Sequence, residues 1–313
     1  MALNETTSPS SIASSPFNDI EADIILQSSD HVEFHVLKVF LSYASPFFKK
    51  MFTLPHAQDE QKVKDGKPVV QVTEESVTIE LLLRYCYPRW EDENEAPHLE
   101  TLISVLQASI KYDMAGVEKR VRAALISSRF TDDDPVRLYA LTLRHGLEAE
   151  TRVAAKETLR LPILGREYIP ELELISAGAY HRLQEYHVKC AELASGVAKS
   201  LEWVMVENYV WFECTECRGN LGNVTISGNR RKWITSKWWL DYMNQAAAKL
   251  AAMPSGSSVM SPDLIDETLG RASLCSCCRG RAFREMRPFS ERFAVEVDRV
   301  TAAVELEIIF PFS

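Results

Sequence analysis

No run of apolar residues in this sequence approaches the roughly 18–20 needed to cross a bilayer. Glycine and proline are sparse, 12 and 14 of 313 residues, which excludes collagen-like and low-complexity architectures. The first sixteen residues are rich in Ser, Thr and Pro but lack the basic start and apolar stretch of a secretory leader. Histidine is absent after His187. No H-E-x-x-H, G-x-S-x-G, Walker-type glycine loop or G-x-G-x-x-G occurs, so none of the common hydrolase, nucleotide or dinucleotide sites is encoded. The expectation is an intracellular, non-enzymatic protein, cytoplasmic or nuclear.

What is present is ordinary for a globular chain: 46% hydrophobic and 25% charged residues, with a net charge of −9. At roughly 150 residues per domain, 313 residues suggest about two domains. Residues 1–199 carry 22 Lys and Arg against 30 Asp and Glu, and residues 200–313 carry 13 against 14. An acidic front and a neutral rear argue against bulk-charge binding of nucleic acid and suit a protein that binds other proteins. Seven cysteines, an odd number at low density, fit a reducing compartment.

Residues 1–16 lack the periodicity of a packed element and are expected to be disordered. Ala22 to Gln27 and Val32 to Leu37 read as a hairpin around Ser28-Ser29-Asp30. Then the period becomes helical: Phe40, Tyr43, Phe47, Phe48 and Met51 recur, with Ser45-Pro46 marking a stop and restart. Residues 55–68 read as a charged, mobile loop, Val69 to Val72 as a strand and Ser76 to Tyr87 as a helix stopped by Pro88. An acidic loop, Glu91 to Glu95, precedes helices at Leu99 to Tyr112 and Val117 to Ile126.

The stretch D-I-I-L…F-H-V-L-K-V-F-L-S-Y-A-S-P-F-F-K-K-M-F, followed by V-V-Q-V, L-L-L-R-Y-C-Y-P and V-L-Q-A-S-I-K-Y-D-M, resembles the BTB/POZ family over residues 17–127. Its wording is closest to the large fungal group. The resemblance implies an α+β fold, a small sheet with helical hairpins, that self-associates as a homodimer or recruits protein partners. The pattern positions are Asp23, Phe34, Lys38, Leu41, Ser45 and Phe48. The family's usual His before the Lys is Leu37 here. Residues 128–200 read as helices only and resemble the extension that follows many such domains. Asp132-Asp133-Asp134-Pro135 is a helix-start signal. Val136 to His145 and Leu147 to Leu161 form an antiparallel pair joined at Gly146. His181 and His187 lie six apart on a helix, on different faces, and do not form a metal pair.

Residues 201–313 form the Cys-rich, mainly helical remainder. Lys232 to Ala252 reads as one helix, Met253 to Val259 as a flexible joint, Ser261-Pro262-Asp263 as a cap, Arg281 to Val300 as a final helix and Val304 to Phe310 as strand-like. Cys214-Thr-Glu-Cys217-Arg-Gly219 recurs as Cys275-Ser-Cys-Cys278-Arg-Gly280. Two residues between thiolates let both sulfurs meet one ion, and the following glycine permits the positive φ of a knuckle. Cys214, Cys217, Cys275 and Cys278 thus read as a closed, structural Zn²⁺ site, with Cys277 a bystander or a replacement for Cys275. The gap of 57 residues between the pairs exceeds the roughly 15–20 of compact ribbons. The competing readings are reduced cysteines packed in a core and a redox pair.

Two basic strips remain. Arg230-Arg231-Lys232-Trp233…Lys237-Trp238-Trp239 mixes cations with aromatics, a composition that can stack bases but equally serves as a helix start with buried Trp and wet cations. Arg279, Arg281, Arg284 and Arg287 form the second, interrupted by Glu285 and Glu291. The sequence therefore points to a protein-interaction module. A cullin-type ubiquitin-ligase adaptor and a nuclear regulator with a zinc-stabilised C-terminal unit are the alternatives, although residues 52–61 hold no convincing hydrophobic-x-Glu element for a cullin.

Overall fold

A computed structural model describes residues 11–54, 63–87, 97–200, 203–204, 209–219, 221–225 and 232–310. The chain divides into two compact units, one ending at Asp133 and one beginning at Asp134. Residues 1–133 carry 13 basic against 21 acidic residues, and residues 134–313 carry 22 against 23, so nearly all the net charge belongs to the first unit.

In the first unit, β1 (Ser11–Ile12), β2 (Ile24–Gln27) and β3 (Val32–Val36) lead into α1 (Lys38–Ala44) and α2 (Pro46–Thr53). Then come β4 (Val63–Lys64), β5 (Lys67–Gln71), α3 (Ser76–Cys86), α4 (Leu99–Lys111), α5 (Ala115–Leu125) and α6 (Ser128–Asp133). The five strands form one sheet in the order β1-β3-β2-β5-β4. β2 is the centre, antiparallel to β3 and parallel to β5, and its Ile24, Ile25 and Leu26 are all buried, as expected of a strand covered on both faces. The α1–α2 break is built as the sequence implies. The Ser45 hydroxyl accepts from the Phe48 N–H at 3.0 Å and Pro46 occupies the first turn. The same hydroxyl donates to the Tyr112 carbonyl at 2.5 Å, fixing the hairpin to the end of α4.

Two expectations change here. Ser11 and Ile12 are not disordered but pair in parallel with Val32 and Glu33; two residues are too few for a periodicity to show. Residues 63–71, taken partly as mobile loop, form the β4–β5 hairpin through Asp65 and Gly66, both at positive φ. Residues 1–10, 55–62 and the acidic run 91–95 lie outside the described residues.

The second unit is mainly helical. α7 (Pro135–Arg144) starts at Asp134, whose carboxylate accepts from the Val136 and Arg137 N–H groups. It packs on α8 (Glu148–Thr158), with Gly146 at φ +70° between them. α9 (Ala177–Ser200) follows, then α10 (Val210–Glu213), β6 (Leu221–Thr225), β7 (Lys232–Ser236), α11 (Lys237–Ala252), α12 (Gly256–Val259), α13 (Pro262–Ala272) and α14 (Ser276–Ala302). α9 packs on α11 and α14 around an aromatic core. Trp211 stacks on Tyr209 at 4.4 Å and on Trp239 at 5.9 Å, and Phe289 meets both Trp rings edge-on.

Several boundaries differ from the sequence reading. Residues 232–236 are a strand paired with β6, and the helix begins only at Lys237; Lys-Trp-Ile-Thr-Ser is as β-prone as it is helical. The supposed joint 253–259 contains α12, whose Gly256 is buried. The Gly256 N–H donates to Asp298 at 2.8 Å, and a Cβ there would meet the Ala294 carbonyl at 2.6 Å. Ser261 precedes α13 but makes no capping hydrogen bond. Residues 304–310 form no strand. Arg230 and Arg231 lie outside the described residues.

His187 is buried in α9. The Thr158 hydroxyl donates to the Ala155 carbonyl at 2.5 Å, which leaves Thr158 Oγ1 to accept from the His187 Nε2–H at 2.8 Å. Burial, assisted by the Arg166 charge, lowers the His187 pKa to about 4. An unfolded histidine titrates near 6.5, so between these values the unfolded chain holds the extra proton and acid favours unfolding. The penalty is absent above pH 6.5 and grows as pH falls toward 4, to about 3 kcal/mol. Urea denaturation across this window is expected to show a steeper acid loss for the native protein than for His187→Gln; identical slopes would refute the assignment.

Candidate functional site

The four paired cysteines converge. Cys214 closes α10 and Cys217 lies in the 3₁₀ turn Glu216–Gly219. Cys275 is the N-cap of α14 and Cys278 sits in its first turn. The Cys214 and Cys275 sulfurs are 3.6 Å apart, as are those of Cys217 and Cys278, and all four lie within 4.8 Å of one another. A disulfide needs about 2.05 Å, so these are separate thiols. Four sulfurs about 2.3 Å from a tetrahedral ion would be about 3.8 Å apart, so the cluster matches a four-thiolate metal cage. Cys277 is exposed and stands outside it.

The electrostatics fit a cation. Burial opposes the Cys214 thiolate, but the Cys217 backbone N–H and the thiols of Cys278 and Cys275 donate to it, and its pKa is lowered to about 7. Burial raises Cys217 and Cys278, and the hydrogen bond with Cys214 raises Cys277 to about 11. Close thiols cannot all ionise unaided; a divalent charge at their centre removes that conflict. The start of α14 adds its positive dipole end.

Three supporting groups escaped the sequence reading. Glu216 binds the turn to the helix, accepting from Ser276 Oγ at 2.5 Å, the Cys277 N–H at 3.3 Å and Cys275 Sγ at 3.4 Å. These bonds lower its pKa. Its place between the first two ligands was the available signal. The Trp238 indole N–H is buried with no hydrogen-bond partner, and its proximity favours the Cys278 thiolate. The Ser236 hydroxyl donates to the Trp211 carbonyl at 3.3 Å; the same single proton, turned toward Cys217, favours that thiolate instead. One expectation is corrected: Gly280 lies inside α14 with ordinary helical backbone. The second cysteine pair is therefore a helix start, and the two pairs are not twin knuckles.

In the first unit, Phe34, Leu41, Ser45 and Phe48 are all at most 1% exposed. They hold the sheet and helical hairpin together and do not form an open contact face. Phe48 stacks near Tyr112 at 5.0 Å. Asp23 is exposed and accepts from the Lys38 backbone N–H at 2.7 Å, capping the turn into α1, while the Lys38 ammonium lies 5.8 Å over the Phe52 ring. The open apolar positions are others: Tyr43 is 94% exposed, with Val39, one turn before it, at 63%.

A curled sheet of this order flanked by the α1–α2 and α4–α5 hairpins is the arrangement the resemblance implies, and residues 15–129 match the family model of the BTB/POZ domain. This stretch is a BTB/POZ domain. No curated protein matches the chain. BTB/POZ domains mediate protein–protein interactions. Among the described residues, no helix is long and apolar enough to cross a membrane.

Because two chain segments supply two cysteines each, loss of one sulfur leaves the cage a ligand short. Mass spectrometry under native conditions is expected to show one divalent ion per chain, lost on chelation and in Cys278→Ser but retained in Cys277→Ser. Retention in Cys278→Ser, or loss in Cys277→Ser, would show that the cage is drawn from other residues.

Proposed function

We propose that this chain is a two-part interaction protein whose BTB domain pairs with a second copy or recruits a protein partner, and whose C-terminal unit is fixed in shape by Zn²⁺. The observation that carries the first part is the outward α1 surface. Tyr43 and Val39 lie one turn apart and open to water, and Phe47 on α2 is 45% exposed. A large aromatic left this open is characteristic of a contact surface.

Zinc is the ion that best suits four thiolates in a closed tetrahedron, because it accepts that geometry without redox chemistry. With all four positions filled by sulfur, no site remains for a bound water, so the ion's role is structural. The cullin-adaptor reading is the weaker one, because the 52–62 segment holds no convincing hydrophobic-x-Glu element. Kinship with the fungal group rests on the wording of residues 23–52.

Sedimentation of the full chain is expected to show a concentration-dependent dimer. Val39→Glu combined with Tyr43→Glu is expected to give monomer with unchanged helix content. A double variant that dimerises normally would remove this surface from the contact. Co-purification of a cullin that survives the double variant would favour the adaptor reading.

A further inference from the structure

The second basic strip changes character once the helix is placed. In sequence it is interrupted by Glu285, but Glu285 turns inward. Its carboxylate accepts from the Val210 backbone N–H at 2.6 Å and pairs with Arg281 at 2.8 Å. Arg281 is drawn aside with it, also meeting Glu213 at 2.8 Å. What remains on the outer face of α14 is Arg279, Phe283, Arg284 and Arg287, neighbours at i+3 and i+4 spacing.

Three features distinguish this strip from an ordinary solvated helix face. Phe283 is 72% exposed in its middle. Arg279 and Arg284 are exposed and make no ion pair among the described residues. By contrast, Arg271, Arg281 and Arg299 on α13 and α14 are each tied to carboxylates at 2.6–2.9 Å. Glu291 closes the strip's end, bound to Arg287 at 3.1 Å. The free positive charge is therefore local, with an apolar ring at its centre, on a 27-residue helix that is rigidly packed on its other side.

We propose that this strip is the docking site for an acidic peptide segment of a partner protein, with an apolar side chain of that segment seated on Phe283. The proposal rests on the reading of the chain as an interaction protein, and it supplies the C-terminal unit with its own partner chemistry. Charge complementarity fixes the occupant. From Arg279 to Arg287 the helix rises about 12 Å, enough for about four extended residues. A nucleic acid needs many phosphates neutralised to bind, and two free arginines on a chain of net charge −9 do not supply that. A short acidic peptide needs only the local field.

The test is fluorescence anisotropy of a fluorescein-labelled peptide of repeating Asp-Glu-Leu with the full chain at about 50 mM salt. Binding is expected, weakening steeply with salt. Arg284→Glu with Arg287→Glu is expected to weaken it by about tenfold or more. Phe283→Ser is expected to weaken it about threefold to tenfold at every salt concentration. Arg299→Glu, on the same helix away from the strip, is expected to leave it unchanged. These positions are exposed, and equal helix content by circular dichroism confirms that each variant is folded. Absence of binding, equal binding of an Asn-Gln-Leu peptide, or indifference to the double variant would overturn the proposal. Tighter, more salt-sensitive binding of a single-stranded oligonucleotide of the same length would also overturn it, in favour of nucleic acid. A chain that stays monomeric in sedimentation yet binds the peptide would sink the pairing surface and leave this site standing.

Discussion

Four thiols from two segments 57 residues apart occupy one small volume, and the C-terminal unit is arranged to bring them there. α10 and the 3₁₀ turn supply two, and the first turn of α14 supplies two more. Glu216 bridges the pieces, and the Trp211–Trp239–Phe289 stack fills the space behind them. A structural zinc in a small peptide is worth about 10–16 kcal/mol, while an entire domain is stable by only about 5–15 kcal/mol. An ion held in this cage would therefore add stability on the scale of a whole domain's.

The two units use different means of cohesion. The BTB domain relies on a sheet whose central strand is apolar on both faces and on hydroxyl clamps such as Ser45 to Tyr112. Residues 1–133 hold the acidic excess, 21 acidic against 13 basic residues, which limits nonspecific polyanion binding. The second unit is nearly neutral in sum, so its local charge pattern is visible to a partner at short range.

The sequence was most legible where a local rule has one outcome. Ser45-Pro46 and Asp134-Pro135 became helix starts because a side-chain acceptor followed by proline suits little else. The C-x-x-C spacing singled out the four sulfurs that lie together, although the gap between the pairs is outside the usual range. Legibility failed where the outcome depends on distant chain. Residues 232–236 became a strand because β6 was there to pair with. Gly280 became helical because the second cysteine pair opens α14. The pattern positions Phe34, Leu41, Ser45 and Phe48 were legible as belonging to the family, but the sequence alone could not separate residues that maintain the domain from those that touch a partner. Their burial assigns them to the former. Glu285 reads as an interruption of positive charge, and only its bond to Val210 removes it from the surface.

The close seat of Gly256 on α14 carries a mechanical meaning. The backbone of α12 rests on the Ala294 carbonyl with no room for a methyl group, and Asp298 grips the Gly256 N–H from the same side. The long helix is thus fastened twice, at its beginning by sulfur and near its far end by this flush joint. Stripping the ion would slacken only the first fastening. Damage would then begin at residues 275–287, the stretch that presents Phe283 and its arginines, while the distal turns kept their grip, so metal supply would govern the outward-facing end of the beam before it threatened the whole unit.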